Sequence, residues 1–412
     1  MIRREERMRV LFNTSGWPTH LYMVASLAQA FRTAGHEIRV AGPPMGRSAV
    51  LAAGLPFVEV GRDVDFIEIR RRVLPYEAQW EEVGYTEDEH DAGPWLEEAR
   101  RLSGIGDVLS GWQETAFTPT ADLVAFARAW QPELIVTDDM SLSALVAGHV
   151  TGVPVVRHLL ATDVIGSVEA EDLFLEEIPG FAEHCAVYGM ELSGDPAAAT
   201  VDPSPPSMQP PAGPRRHAMR WVPYNGPGSA PDWLLEPPSR PRVCVTWGTS
   251  TVWSAGRRHF LVSDILEVLA GFDAEIVVTV GSGQREMLGL GQVGANVRVL
   301  ESMPLHFLMP SCDLVIHQGG SSTMLTAAYY GVRQLAVPYL PEQVADARSH
   351  ASTGAGLWLF GTDEADRHSV HASVDALLHD PQFREAADRL RREIATQPSP
   401  AETVRTLERL AA

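Results

Sequence analysis

The sequence predicts two α/β halves, each a parallel sheet wound with helices. Three observations carry that prediction. Arg9-Val-Leu-Phe-Asn13, the apolar-striped run Leu21 to Ala34 ended by Gly35, and Glu37 to Ala41 make a strand-helix-strand opening, the repeating unit of doubly wound sheets. Proline and glycine crowd residues 202–214, 223–231 and 237–241, a composition of extended connectors and not of core. The alternation then restarts with the strand Arg242-Val-Cys-Val-Thr-Trp247. With 412 residues in the chain, either half is long enough for its own core.

Composition narrows the function classes. Hydrophobic residues make up 45% and charged residues 21%, ordinary for a soluble globular protein. A formal net charge of −20 argues against a nucleic-acid partner, because phosphate backbones demand clustered Lys and Arg. No apolar run is long enough to span a membrane, and Met1 to Arg9 is charged, unlike a secretory signal. Cys185, Cys244 and Cys312 have no paired spacing, so buried thiols in a reducing cytosol are expected.

In the first half, the loop Thr14-Ser-Gly-Trp-Pro-Thr19 lacks the GxGxxG dinucleotide fingerprint. It does place His20 at the mouth of the first helix. A histidine where strand tips converge suits proton transfer near neutral pH; capping the helix or satisfying a local hydrogen bond is the plainer reading. Between about Gly61 and Thr120 the pattern breaks down, with Trp80, Tyr85, Trp95 and Trp112 among acidic runs and lone glycines. Such an irregular aromatic segment fits a lid or binding loop for a bulky apolar ligand, or ordinary packing. A helix over Ala121 to Trp130 and a strand over Glu133 to Thr137 follow. Asp138 and Asp139 at that strand's carboxyl end could hold a metal, orient a histidine or cap the next helix, and the DD spacing makes the metal the weakest of these. Val153 to Leu159 is a further buried-looking strand.

In the second half, the small loop Gly248-Thr-Ser-Thr251 leads to a helix over Arg257 to Ala270, then strands over Glu275 to Val280 and Val297 to Leu300. The stretch from Leu314 to Ala347 carries the chemistry. Leu314-Val-Ile-His317 is an apolar strand, Gln318-Gly-Gly320 a small-residue turn, and Ser321-Ser-Thr323 opens a helix ended by Gly331. Amides at a helix start and the positive end of its dipole form an anion site. Gly319 and Gly320 allow close approach, Thr323 adds a hydroxyl, and His317 adds a ring N–H. After a strand over Arg333 to Val337 and a turn at Pro338, Glu342 and Gln343 offer a carboxylate and an amide to hydroxyls. The combination fits a phosphate-bearing ligand whose other end is a polyol, unless this is only a core strand and a surface helix. The last 40 or so residues read as helices, one starting at Ser399-Pro400-Ala-Glu402.

Together these residues resemble GT-B fold glycosyltransferases, in particular the bacterial macrolide and polyketide type that moves deoxysugars from dTDP donors. The resemblance rests on Pro18-Thr-His20, Ala34-Gly-His-Glu37, Trp221-Val-Pro-Tyr-Asn-Gly-Pro227 with Pro231-Asp-Trp233, Val245-Thr-Trp-Gly-Thr249, His317-Gln-Gly-Gly-Ser-Ser-Thr323, and Pro338 through Glu342-Gln343 to Ala347. It spans nearly the whole chain; the hinge motif and the His-Gly-Gly block are specific when taken together.

The resemblance implies two Rossmann-like domains facing across a cleft: an acceptor-binding domain over residues 1–215, a linker over 216–240, a nucleotide-sugar-binding domain over 241–395, and a helix over 396–412 packing back on the first domain. It implies that His20 is the general base and that Asp138 holds its other ring nitrogen and stabilises the imidazolium. The nucleoside diphosphate would be met by His317, Gly320, the amides of Ser321, Ser322 and Thr323, and Thr249, with backbone near Met303 meeting the base. Glu342 and Gln343 would hold sugar hydroxyls. One displacement inverts the anomeric centre. No metal and no cofactor are implied, the dTDP-sugar being a co-substrate beside a lipophilic small-molecule acceptor. The setting implied is cytoplasmic, with no membrane partner; a homodimer and an auxiliary activator protein stay open. Relatives of this type usually carry a second histidine where Gln318 stands, glycine where Ser322 stands and aspartate where Glu342 stands. If position 322 requires a positive φ, its serine is strained. A non-catalytic or helper-dependent protein, and a nucleotide-sugar epimerase or hydrolase, are the alternatives on the same fold.

Overall fold

A computed structural model of the chain describes residues 7–64, 117–160, 162–163, 180–192, 194–211, 213, 215–248, 260–287, 289–290, 293–339, 341–360 and 365–411. The chain divides into two units, Met1–Gly226 with Gln397–Ala412, and Pro227–Thr396. Both are α/β, each built on a parallel sheet.

Among the described residues, the first unit holds seven parallel strands: β1 Arg9–Asn13, β2 Glu37–Gly42, β3 Phe57–Glu59, β4 Leu134–Asp138, β5 Val155–His158, β6 Ala199–Asp202 and β7 Arg216–Ala218, in the order β3-β2-β1-β4-β5-β6-β7. The order reverses between β1 and β4, whose register runs Val10 to Leu134 through Asn13 to Thr137. Side chains alternate across a strand: Val10 and Phe12 enter one core with Leu21, Leu27 and Phe31, while Leu11 enters another with Ile135, Leu145 and Phe181. Both faces are covered, which is why these strands are continuously apolar. Helix α1 runs Pro18–Thr33, beginning three residues before the apolar stripe, with proline among its first residues, where its missing N–H costs nothing.

Two expectations for the connecting region are corrected. Residues 202–205, expected to belong to an extended connector and not to core, are buried, while Pro206, Ser207 and Pro211 beyond them are exposed. Arg216–Ala218, inside the expected linker, is the edge strand β7 and pairs with β6. Buried ion pairs hold it there: Arg216 reaches Asp163 at 3.5 Å and Asp202 at 3.6 Å. Arg157 on β5 adds Asp195 at 2.8 Å. These partners lie far apart in sequence and leave no local pattern.

The second unit repeats the plan with β8 Arg242–Thr246, β9 Glu275–Val280, β10 Val297–Glu301, β11 Leu314–His317, β12 Arg333–Ala336 and β13 Gly356–Trp358, ordered β10-β9-β8-β11-β12-β13 among the described residues. Val243, Val245, Ile276 and Ile316 face one core; Cys244, Val277 and Val315 face the other. Cys185, Cys244 and Cys312 are free thiols, the last half-buried. Among the described residues no helix is long and apolar enough to cross a membrane.

The terminal helix, Pro400–Ala411, belongs to the first unit. Ser399 and Glu402 close a capping box, with the Ser399 N–H donating at 2.8 Å and its hydroxyl at 2.7 Å to Glu402 Oε2. Val404 and Leu407 enter the core that holds Leu21 and Phe31, and Glu408 meets His36 Nε2 at 2.9 Å.

Candidate active site

In doubly wound sheets, ligands settle outside the carboxyl ends of the strands where strand order reverses. Each unit has one such point, between β1 and β4 and between β8 and β11. The sequence-predicted residues collect at these two places.

At the first, the loop after β1 and the end of β4 bring His20 and Asp138 together, with His20 Nδ1 3.3 Å from Asp138 Oδ2. Ser15, which sequence reasoning missed, joins them: its hydroxyl lies 2.7 Å from His20 Nδ1, and its backbone N–H donates to Asp138 Oδ2 at 3.0 Å. The Met140 N–H donates to the other carboxylate oxygen at 3.0 Å. Burial pushes the Asp138 carboxyl upward, but the His20 hydrogen bond and charge, with the Ser15 N–H, outweigh it and hold the group below its usual range. A carboxylate so held stays ionised beside the imidazole. With Nδ1 occupied on this side, His20 keeps Nε2 for another partner, and its side chain is 16% exposed against 0% for Asp138. His20 lies in the first turn of α1, so a helix and a strand end fix the pair.

Asp139 turns to different company. Its Oδ2 accepts the Leu160 N–H at 3.1 Å, and its Oδ1 is buried without a hydrogen bond. Burial, with Asp163 and Asp138 nearby, raises it to about 7 against the pull of Arg157 and the Leu160 N–H. Beside it in the sheet, His158 pairs in register with Asp138; burial takes its ring down to about 4.

At the second point, β11 ends in His317 and helix α2, Ser321–Tyr330, begins after Gly320. Gly319 has φ +91°, and a Cβ there would sit 3.0 Å from Gln343 Cβ, so only glycine fits this turn. Gly320 caps the helix with no side-chain hydrogen bond and no acid in the first turn, and the first amide to find an intrahelical acceptor is that of Met324, at Gly320 O. Ser321, Ser322 and Thr323 are half-buried there. Ser322 lies within the helix and is not among the positive-φ residues, so its serine carries no backbone strain.

His317 departs from its expected role. It is fully buried, its Nδ1 accepts the Gly319 N–H at 3.0 Å, and its Nε2 meets Gln334 Oε1 at 3.1 Å. Gln334 passes the chain on, donating to His350 Nε2 at 2.9 Å and to Met324 O at 3.1 Å. Both ring nitrogens therefore serve the protein interior, and His317 shapes the Gly319 turn instead of presenting an N–H to an anion. Burial lowers it to about 4. Ser321 donates its hydroxyl to Asp346 at 2.5 Å, tying the start of α2 to helix α3, Pro341–Ser352. On α3, Gln343 accepts the Tyr339 N–H at 3.3 Å and lies against Gly319. The Glu342 side chain, Thr249, and Trp80, Tyr85, Trp95 and Trp112 lie outside the described residues. Met303 is half-buried beside Ser302, a non-glycine residue with φ 54°; such conformations gather at binding sites.

Residues 29–248 match the family model "Erythromycin biosynthesis protein CIII-like, N-terminal domain", and residues 263–410 match its C-terminal counterpart. The chain is 34% identical to aclacinomycin-T 2-deoxy-L-fucose transferase of Streptomyces galilaeus, over 98% of this chain and 96% of that protein. It is 35% identical to 10-deoxymethynolide desosaminyltransferase of Streptomyces venezuelae, over 98% and 97%. Among solved structures, glycosyltransferase VinC in complex with dTDP superposes with a TM-score of 0.79 at 31% identity, covering 98% of this chain and 99% of that one. Spinosyn rhamnosyltransferase SpnG complexed with thymidine diphosphate gives 0.79 at 30%, covering 97% and 100%. The chain belongs to the erythromycin biosynthesis protein CIII-like family and is a glycosyltransferase of the GT-B fold.

Proposed function

We propose that this enzyme transfers a deoxysugar from a dTDP-linked donor to a hydroxyl of a polyketide-type aglycone, with inversion at the anomeric carbon. The observation that carries the reading is the Ser15–His20–Asp138 cluster at the strand-order reversal of the first sheet. His20 Nε2 takes the acceptor's hydroxyl proton as its oxygen attacks the anomeric carbon. The bond from that carbon to the diphosphate breaks, and the electron pair leaves with the phosphate. Asp138, held ionised, stabilises the imidazolium. In the second unit the start of α2 meets the charge that develops on the leaving diphosphate. The backbone about Met303, with Thr249, serves the nucleotide, while Glu342 and Gln343 serve the sugar. Relatives named for transfer of 2-deoxyfucose and desosamine, and two neighbours bound to thymidine diphosphate, support the donor class. The reaction needs no metal in this reading.

His20→Ala tests the base. Turnover should fall by about 10²–10⁴-fold, the usual worth of a general base, while dTDP still binds. Near-normal turnover in a variant that binds dTDP would remove His20 from the mechanism.

A further inference from the structure

The hinge motif, Trp221 to Pro227 with Pro231-Asp-Trp233, has no task in the chemistry above, yet the residues from 228 to 233 are built closely against the second unit. A Cβ placed on Gly228 would sit 2.6 Å from both Cδ and Cγ of Pro304, nearer than a real Cβ comes to any neighbour. Gly228 is not among the positive-φ glycines, so the ring beside it, and not its own torsions, calls for a glycine there. Five residues on, the guanidinium groups of Arg242 and Arg298 lie over the Trp233 ring, each 4.9 Å from its centroid. Glu275 pairs with both arginines, at 3.0 and 3.3 Å. Trp233 and Leu234 pack against the same core as Leu300 and Met303.

Arg298 lies on β10, and Pro304 stands just beyond that strand's end at Glu301. Residues 228–233 therefore pass β10, an edge strand among the described residues, against its direction and are fastened at both ends. Pro227 and Pro231 stiffen the run by fixing their own φ. Opposite it lies Ser302, with φ 54°, a conformation that a non-glycine residue keeps only when its surroundings impose it. On one side, Val280 O accepts the Ser302 N–H at 2.8 Å. On the other, the buried Pro304 stands between the helix Leu305–Leu308, which it caps, and the bare Cα of Gly228. We propose that Gly228 is a positioning residue for the donor nucleotide: the space it leaves seats the Pro304 ring, and that seat sets the Ser302–Met303 backbone that meets the nucleobase. This rests on the role given to the Met303 backbone under Proposed function. Gly228 touches no ligand and acts through Pro304. A side chain at 228 would push the ring, and the shift would reach Met303 across one peptide bond.

The test is a double-mutant cycle read by calorimetric titration of the full chain with dTDP. Gly228→Ala should weaken dTDP by about 10-fold, the scale of effect that overpacking by a methyl group brings. Thymidine, which lacks the phosphates, should lose by the same factor, because the displaced backbone faces the nucleobase. In the Pro304→Ala background, where the ring is gone, Gly228→Ala should cost nothing further. If thermal unfolding shows Gly228→Ala to be misfolded, Pro304→Ala alone carries the test. It opens the contact instead of crowding it, and should weaken dTDP and thymidine alike by about 3- to 10-fold. Wild-type dTDP affinity in the variant that folds, a loss confined to dTDP, or an equal loss from Gly228→Ala with and without Pro304 would overturn the assignment and leave the donor reading standing. A wild-type chain that binds no dTDP would remove the donor reading itself, and this assignment with it.

Discussion

Ser15 Oγ lies 2.7 Å from His20 Nδ1, closer than the Asp138 oxygen at 3.3 Å on the same nitrogen. The imidazole is therefore held by a hydroxyl and a carboxylate together, and Ser15 also fixes Asp138 through its own N–H. Replacing the hydroxyl removes one hold and keeps the other. Ser15→Ala should lower kcat by less than Asp138→Asn, which removes the charge that balances an imidazolium and should cost about 10²-fold or more. Steady-state kinetics on the two variants checks the order, and a larger loss for Ser15→Ala would reverse the assignment.

Three buried imidazoles set the response to acid. Burial takes His158 and His317 down to about 4, and burial together with the neighbouring His317 takes His350 to about 3. An unfolded histidine titrates at about 6.5, so below that pH the unfolded chain binds protons that the folded chain refuses. The stability these groups contribute is fully present above about pH 6.5 and is lost as pH falls toward their folded values. Urea midpoints should drop steeply between pH 6.5 and 4.5. His350→Gln, which can still accept from Gln334, should flatten that slope.

Asp139 works in the opposite direction. Its folded value of about 7 lies above an unfolded aspartate's at about 3.9, so the folded chain keeps a proton that the unfolded chain releases. The stability tied to that proton is present at low pH and is lost as pH rises through about 7. Asp139→Asn keeps an oxygen for the Leu160 N–H and removes the titration. The melting temperature of this variant should match wild type near pH 4 and exceed it above pH 7; parallel curves would show that the carboxyl does not titrate there.

Metal removal should leave turnover unchanged. Asp138 is committed to Ser15, His20 and Met140, and Asp139 to the Leu160 N–H, and a helix start meets the diphosphate in the proposed mechanism. Activity assayed after exhaustive chelation, with and without added Mg²⁺, checks this. A strict Mg²⁺ requirement would bring the Asp138–Asp139 pair back as a metal site.

Much of the architecture was readable because it is written in local patterns. Strands buried on both faces read as short apolar runs, and Gly331, Pro400 and Glu402 punctuate helices by rules of backbone geometry. The His20–Asp138 pairing became readable only through family resemblance, since 118 residues separate the two. Ser15 stayed hidden for a different reason. A serine in a loop carries no periodicity, and its significance comes from neighbours placed by sheet register. His317 misled because its position at a strand end says nothing about which way the ring turns; Gln334, on the adjacent strand, decides that. The edge strand Arg216–Ala218 was obscured by the prolines around it, while the aspartates that anchor its arginine lie 14 and 53 residues upstream.

The helix Pro400–Ala411 completes a core that begins with the first strand of the chain. On the ribosome, residues 10–40 emerge early, yet Val404 and Leu407 follow only after about 360 further residues have been made. Domains otherwise tend to fold in order of synthesis. Here the earlier-made unit is finished last, and the unit translated in between can fold while its predecessor is still open to chaperones.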